Sequence, residues 1–200
     1  MVKILLLGDS IRGGYQHKVQ EKLGENYKVF APNDNCRFSA YTLNSVRFWL
    51  GLQALPEVKE FMTEPDIIHW NNGLWDVARL FGENRCFCSL DEYLSNMERT
   101  YNFLRKNTKA KIILATTTPT RKEKELDPMV SHFVADIERY NKALIERLGD
   151  KVDCVNDLFS LVMSEREKII REDDLIHLTD YGKEVCSNAV VQSIFKVEKL

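Results

Sequence analysis

Four short apolar runs, Val2–Leu7, Asp66–Trp70, Lys111–Ala115 and Lys151–Val155, constrain this chain more than any other feature. Each is aliphatic or β-branched and is bounded by Gly, Pro, Asn or charged residues, which marks strands buried on both faces. Tyr27–Phe30 is a weaker fifth run. Helical spacing fills the intervals. His17–Leu23 is a short example, and Leu43–Leu55 carries Leu43, Val46, Leu50 and Ala54 on one face. Leu90–Arg105 and Val130–Leu148 repeat apolar residues with a period near 3.6. A last helix is expected from Thr179 to about Val197, with Thr179 and Asp180 as N-cap candidates. Strands alternating with helices predict an α/β fold, with a parallel five-stranded sheet covered by helices on both faces.

Composition narrows the function classes. The 200 residues are 44% hydrophobic and 29% charged, enough to close a core without staples. No linker or repeat interrupts them, so residues 1–200 are expected to form a single domain. Lys and Arg number 28 against 30 Asp and Glu, and no basic block occurs. That balance gives no footprint for nucleic acid or an anionic membrane, so neither is an expected partner. No window approaches the ~20 apolar residues that span a bilayer. The N-terminal run is also too short for the apolar part of a signal peptide, so the cytoplasm is the expected compartment. The five cysteines, Cys36, Cys86, Cys88, Cys154 and Cys186, are irregularly spaced and read as free thiols. Cys86 and Cys88 have no second ligand pair, so no metal is expected there.

In an open α/β sheet, ligands bind beyond the carboxyl ends of the strands. The residues at those ends are Gly8-Asp9-Ser10, Asn33 to Ser39, Asn71-Asn72-Gly73 and Thr116 to Pro119. Ser10 follows the first strand at a turn where Gly8 lets the chain bend. It could be a nucleophile aided by a helix N-terminus, or simply an N-cap. Asp174 and His177 shift that balance. Three residues apart in a tight turn, the carboxylate can hold imidazole Nδ1 and leave Nε2 as a general base. His17, His69 and His132 lack such a partner, and His69 reads as a core residue. Thr116 to Pro119 are assigned no catalytic role.

Gly8-Asp9-Ser10 near the start and Asp174-x-x-His177-Leu178-Thr179 near the end resemble two signature blocks of the SGNH, or GDSL-type, hydrolases. The resemblance covers the whole chain. It implies a three-layer α/β/α, flavodoxin-like fold and a serine esterase without metal or organic cofactor. Ser10 would be the nucleophile, His177 the general base and Asp174 the residue orienting it. The middle blocks depart from the family pattern. Where the family has G-x-N-D, this chain reads Gly73-Leu74-Trp75-Asp76, so the oxyanion-hole amide is expected from Asn71 or Asn72, with Trp75 shaping the pocket. The second block lacks its glycine, so a backbone N–H of Cys36 or Arg37 is expected to serve. Arg37 could bind an anionic part of the substrate or form a structural ion pair.

These readings predict a small-molecule ester as substrate. No apolar lid is evident in the sequence, so a small acyl group, such as acetyl on a sugar or other polar alcohol, is the expected ester. A thioesterase or lysophospholipase-like activity is the nearest alternative. A different class also stays open: a non-catalytic flavodoxin-like module that holds phosphate over Gly8, Gly13 and Gly14.

Overall fold

The computed structural model describes residues 1–53, 64–122 and 127–199. Five strands, β1 (Val2–Leu7), β2 (Tyr27–Phe30), β3 (Ile67–Trp70), β5 (Lys111–Ala115) and β7 (Cys154–Asn156), form one sheet in the order β2-β1-β3-β5-β7. Every pairing in it is parallel, with Leu7 opposite Trp70, and Trp70 opposite Leu114. The three central strands are buried almost throughout, which is why their sequences run apolar without alternation. A separate antiparallel ribbon joins β4 (Arg79–Leu80) to β6 (Val130–Ser131).

Helices complete the three layers. α1 (Ser10–Leu23) packs against α7 (Asp180–Glu198), which also meets α5 (Leu158–Ser164) and α6 (Arg166–Ile169). α3 (Leu90–Asn107) lies between α2 (Ser39–Trp49) and α4 (Val134–Leu148). Trp70, Tyr15, Tyr93 and Tyr140 are the bulkiest fully buried side chains of the core. The Tyr93 and Tyr140 hydroxyls reach the carbonyls of Asn72 (3.0 Å) and Cys88 (2.6 Å), so neither ring is buried with an unpaired polar end. No helix among the described residues is long and apolar enough to cross a membrane.

The expected strands stand, with β7 starting three residues later and ending one residue later than expected, at Cys154–Asn156. Lys151–Asp153 form its approach, and Asp153 accepts hydrogen bonds from Ile112 N and Arg105. Three helix boundaries differ from the periodicity reading. α1 begins at Ser10, not His17: its buried residues Ile11, Tyr15, Val19 and Leu23 repeat every fourth position, but Gly13 and Gly14 lower the helical signal between them. α2 begins at Ser39, whose backbone N–H is held by Asp76 from another loop, a cap no local pattern shows. Its expected end at Leu55 lies outside the described residues. α4 starts at Val134 because Val130 and Ser131 pair with β4 instead. α7 is capped as expected, Thr179 Oγ1 accepting from Gly182 N (3.0 Å).

Candidate active site

The carboxyl end of β1 delivers Ser10 as the first residue of α1. The N-cap is Asp9, not Ser10: Asp9 Oδ1 accepts from Ile11 N (2.9 Å), which leaves the serine hydroxyl for other partners. Gly8 is required by close approach. A Cβ there would lie 2.7 Å from Arg12 Cβ. Arg12 is itself buried, donating to the carbonyls of Gly8 and Asp34 (Nη2, 3.3 and 3.0 Å), and so ties the serine turn to the loop after β2. Burial pushes the Asp9 carboxyl above its usual range, against the pull of the Ile11 N–H and the Arg12 charge.

The chain ends meet at this point. His177 Nε2 lies 2.8 Å from Ser10 Oγ, and His177 Nδ1 lies 3.0 Å from Asp174 Oδ2. The other Asp174 oxygen accepts from Ile176 N (2.9 Å) and His177 N (2.8 Å), so a single carboxylate fixes both the turn and the ring. Leu175 takes a left-handed φ of 65° to close this turn. Burial alone would raise the Asp174 carboxyl, but the two N–H donors and the imidazole outweigh it and hold it below the usual range. With Nδ1 facing a carboxylate, Nε2 is free to accept the serine proton.

The residues expected to hold an oxyanion are placed differently. Cys36 N donates to Gly8 O (3.1 Å), and Arg37 N donates to Asn35 Oδ1 (2.7 Å). Both backbone donors are thus already bonded, one to the turn after β1 and one within the loop, and neither is available as the second-block N–H. Cys36 is buried; its sulfur accepts from Gly8 N (3.2 Å), and burial pushes the thiol up to about 12. Arg37, at a left-handed φ of 50°, stacks on Tyr41 (4.7 Å) and pairs with Asp34 (3.5 Å). It lies outside the lining of the cleft beside Ser10. The structural ion pair is therefore the reading the structure favours for Arg37.

Asn72 is equally occupied. Its Oδ1 accepts from Trp70 Nε1 (2.8 Å) and its Nδ2 donates to Arg37 O (3.1 Å), locking the end of β3 to the loop after β2. Asn71 Nδ2 points back toward Ala115 O and Thr117 Oγ1, each at 3.4 Å, and borders a small cavity behind Asp9. Gly73 leaves the strand with φ 144°, and a Cβ there would lie 2.2 Å from Thr117 Oγ1. Asp76 accepts from Ser39 N (3.0 and 3.1 Å) and Ser39 Oγ (2.5 Å), and burial pushes its carboxyl up to about 6 despite these donors. Trp75 does border the cleft, 43% exposed.

One residue that sequence reasoning did not single out shares the cleft with Ser10 and His177. Asn35 lines it, and its Oδ1 is held by Arg37 N, which turns Nδ2 the other way. That Nδ2 has no hydrogen-bond partner among the described residues. The only sequence signal was its position within the segment after β2.

The cleft has a volume of about 470 Å³. Leu80 and Val130 of the β4–β6 ribbon form one wall. The ribbon is pinned to α4 by Arg79, whose Nε and Nη2 donate to Asp136 Oδ2 (2.9 and 2.7 Å). Phe38 and Phe87, with ring centroids 5.1 Å apart, contribute another wall. Trp75, Phe87 and Val130 of the lining, and Phe81 and Met129 beside the ribbon, are exposed, an apolar rim that the sequence does not advertise. The ribbon residues are too few for sequence periodicity to reveal them.

His69 is buried as expected, Nε2 facing Asn156 Nδ2 (3.1 Å), while its Nδ1 has no partner; burial drives it down to about 4. Gly13 and Gly14 sit inside α1 rather than at the strand–helix turn, so the three glycines form no anion cradle. All five cysteines are free. Among the described residues no group of three His, Cys, Asp or Glu could hold a metal.

No family model matches the chain, and no curated protein matches it in sequence. Solved structures do match in fold. A lipase/acylhydrolase from Enterococcus faecalis is 19% identical, with a TM-score of 0.74 over 97% of this chain and 95% of that one. A carbohydrate acetylesterase family member from Sinorhizobium meliloti is 18% identical, with a TM-score of 0.71 over 100% of both chains. The psychrotrophic esterase EstA from Pseudoalteromonas is 14% identical, with a TM-score of 0.70 over 100% of both. The three-layer fold with its five-stranded parallel sheet is thus the fold of GDSL-type acylhydrolases and esterases.

Proposed function

We propose that residues 1–200 form one SGNH-type domain that hydrolyses carboxylic esters through an acyl-enzyme on Ser10. The observation that carries this reading is the continuous line from Asp174 Oδ2 to His177 Nδ1 (3.0 Å) and from His177 Nε2 to Ser10 Oγ (2.8 Å), open to a cleft at the strand ends. His177 takes the hydroxyl proton as Ser10 Oγ attacks the ester carbonyl. The tetrahedral intermediate carries an oxyanion. The Ser10 backbone N–H, at the start of a 14-residue helix, and Asn35 Nδ2 supply its donors. His177 then gives its proton to the leaving alcohol. Water, deprotonated by the same imidazole, attacks the acyl-enzyme and releases the acid.

Asp174 does not take up a proton in this cycle. It holds the imidazole in one tautomer and stabilises the imidazolium that forms. The acetylesterase and esterase among the similar structures support an ester as substrate, with acetyl among the acyl groups the site would transfer to water.

A fluorophosphonate probe tests the nucleophile directly. The expected result is labelling of the folded protein at Ser10, abolished in Ser10→Ala. A folded wild-type protein that takes no label overturns the hydrolase reading.

A further inference from the structure

The cleft beside Ser10 has a lining that bears on which esters could occupy it. Its walls are Phe38, Leu74, Trp75, Leu80, Phe87 and Val130, and among the described residues no Asp, Glu, Lys or Arg lines it. Apart from Ser10 and His177, among the described residues Asn35 and His132 bring polar side chains to its surface, and Trp75 adds one indole N–H. Its volume of about 470 Å³ is that of a small-molecule site. Trp75, Phe87 and Val130 stand 42–48% exposed in it, so apolar area faces water until something covers it.

A sugar in such a cleft would have to give up water around several hydroxyls. Each hydroxyl left without a partner costs free energy, and two amide or imidazole groups and one indole N–H cannot serve them all. An aromatic ring or an alkyl chain has no such cost and covers the exposed indole and phenyl faces. The rigidity of the walls supports recognition rather than a loose surface patch. Phe87 is packed on Phe38, and the ribbon carrying Leu80 and Val130 is held by the Arg79–Asp136 ion pair.

We infer that the substrate of this site is an ester with an apolar portion, an aromatic ring or a chain of several carbons, seated against Trp75 and Phe87. The inference rests on the esterase reading for the reacting atoms, but the cleft's preference can be read separately. The acyl and the alcohol halves of an ester could each supply that portion, and two substrate series tell them apart.

One series varies the acyl group of p-nitrophenyl esters from acetate through butyrate and hexanoate to octanoate. The other keeps acetyl and varies the alcohol, comparing 2-naphthyl and 2-phenylethyl acetates with acetylated xylo-oligosaccharides. In the half that occupies the cleft, kcat/KM is expected to rise about fourfold per buried methylene, and apolar acetates should exceed the acetylated sugar if the alcohol fills it. Trp75→Ala and Phe87→Ala, both at partly exposed positions, should each lower kcat/KM for the apolar ester about tenfold through KM. Trp75→Phe should restore most of the loss. Two flat series, or a preference for the acetylated sugar that Trp75→Ala does not alter, overturn the inference while fluorophosphonate labelling of Ser10 still upholds the hydrolase. Calorimetry on Ser10→Ala separates the converse case. If that protein binds 2-naphthyl acetate or p-nitrophenyl octanoate about tenfold more tightly than its Trp75→Ala form, the cleft preference stands even where the wild type takes no label.

Discussion

Asp174, behind the cleft residue His177, and Asp76, next in chain to the cleft residue Trp75, both accept backbone N–H groups, yet their carboxyls shift in opposite directions. Asp174 receives Ile176 N and His177 N, faces an imidazole, and is held below its usual range. Asp76 receives Ser39 N and Oγ, but it is fully buried with no cationic partner among the described residues, and it rises to about 6. Comparable hydrogen bonding therefore does not set the outcome. Burial prevails at the enclosed Asp76, as it does at Asp9 despite the Arg12 charge, and loses at the one-third exposed Asp174, where two backbone N–H groups and the imidazole act together. The chemical flank keeps its charge ready for use. The scaffolding flank satisfies its polar groups internally, Asn72 to Arg37 and Ser39 to Asp76, and leaves Asn35 to face the cleft.

The largest expected effect tests the chemical flank. Asp174→Asn keeps the shape of the turn but presents an amide to Nδ1, so His177 loses its charge partner and its tautomer is no longer fixed. A loss in kcat of about 10³- to 10⁴-fold is expected, with KM little changed. Because the folded pKa of Asp174 lies below its unfolded value, its contribution to stability is fully present above about pH 4 and disappears as pH falls through the lowered value. Near-normal turnover in a folded Asp174→Asn protein would break the contrast between the flanks.

The next prediction concerns how the flanks meet at the oxyanion. Asn35→Ala should lower kcat about 10²- to 10³-fold, the usual consequence of losing one such donor. Asn72→Ala should act on stability instead, because it strands the buried indole N–H of Trp70 and releases the loop, a loss of about 2 kcal/mol in urea unfolding. If Asn72→Ala lowers kcat at unchanged stability and Asn35→Ala does not, the assignment of the two amides is reversed.

What could be read from the sequence follows the same divide. Asp174 and His177 lie within one turn, so their spacing alone dictates that carboxylate and ring can meet. Ser10 is placed by the strand end that Val2–Leu7 defines. The buried strands were equally legible, since a run covered on both faces has one composition wherever its neighbours lie. The second and third blocks were not. Whether Cys36 N or Arg37 N is free depends on Gly8 and Asn35, and whether Asn72 is free depends on Trp70 and Arg37. The Cys36–Gly8 and Asn72–Arg37 contacts form only when segments distant in sequence meet at one edge of the sheet, and the Arg37–Asn35 and Trp70–Asn72 bonds are local turns that no sequence pattern dictates. The apolar cleft escaped for a similar reason: its ribbon pairs Arg79–Leu80 with Val130–Ser131, two residues against two.

Asp76 gives a smaller effect with a definite sign. Its folded pKa of about 6 lies above the ordinary carboxylate value of 3.8, so the folded state binds the proton more tightly than the unfolded chain. Stability should fall as pH rises between roughly 4 and 6 and then level off. The full span amounts to roughly 1–3 kcal/mol. Urea midpoints at pH 4.5, 5.5 and 7 should show this decline in the wild type, and Asp76→Asn, neutral throughout, should lack it. A wild type that gains stability relative to Asp76→Asn over that range would mean that the Ser39 donors outweigh burial.

Arg37 sets the smallest expectation and the sharpest test of where the chemical flank ends. Its ion pair with Asp34 spans 3.5 Å between side chains that are each more than 40% exposed, so solvent and salt screen most of it. Stacking on Tyr41 adds a modest cation–π contact at an exposed site. Arg37→Ala should therefore cost at most about 1 kcal/mol of stability. Asn72 donates to the Arg37 carbonyl and Arg37 N to Asn35 Oδ1, and both groups are main chain and survive the substitution. The amide of Asn35 should keep its orientation, and kcat/KM should change by the same small factor for a neutral ester and for one bearing a free carboxylate. A selective loss on the acidic ester would give the guanidinium a role in binding that its position outside the cleft lining does not provide.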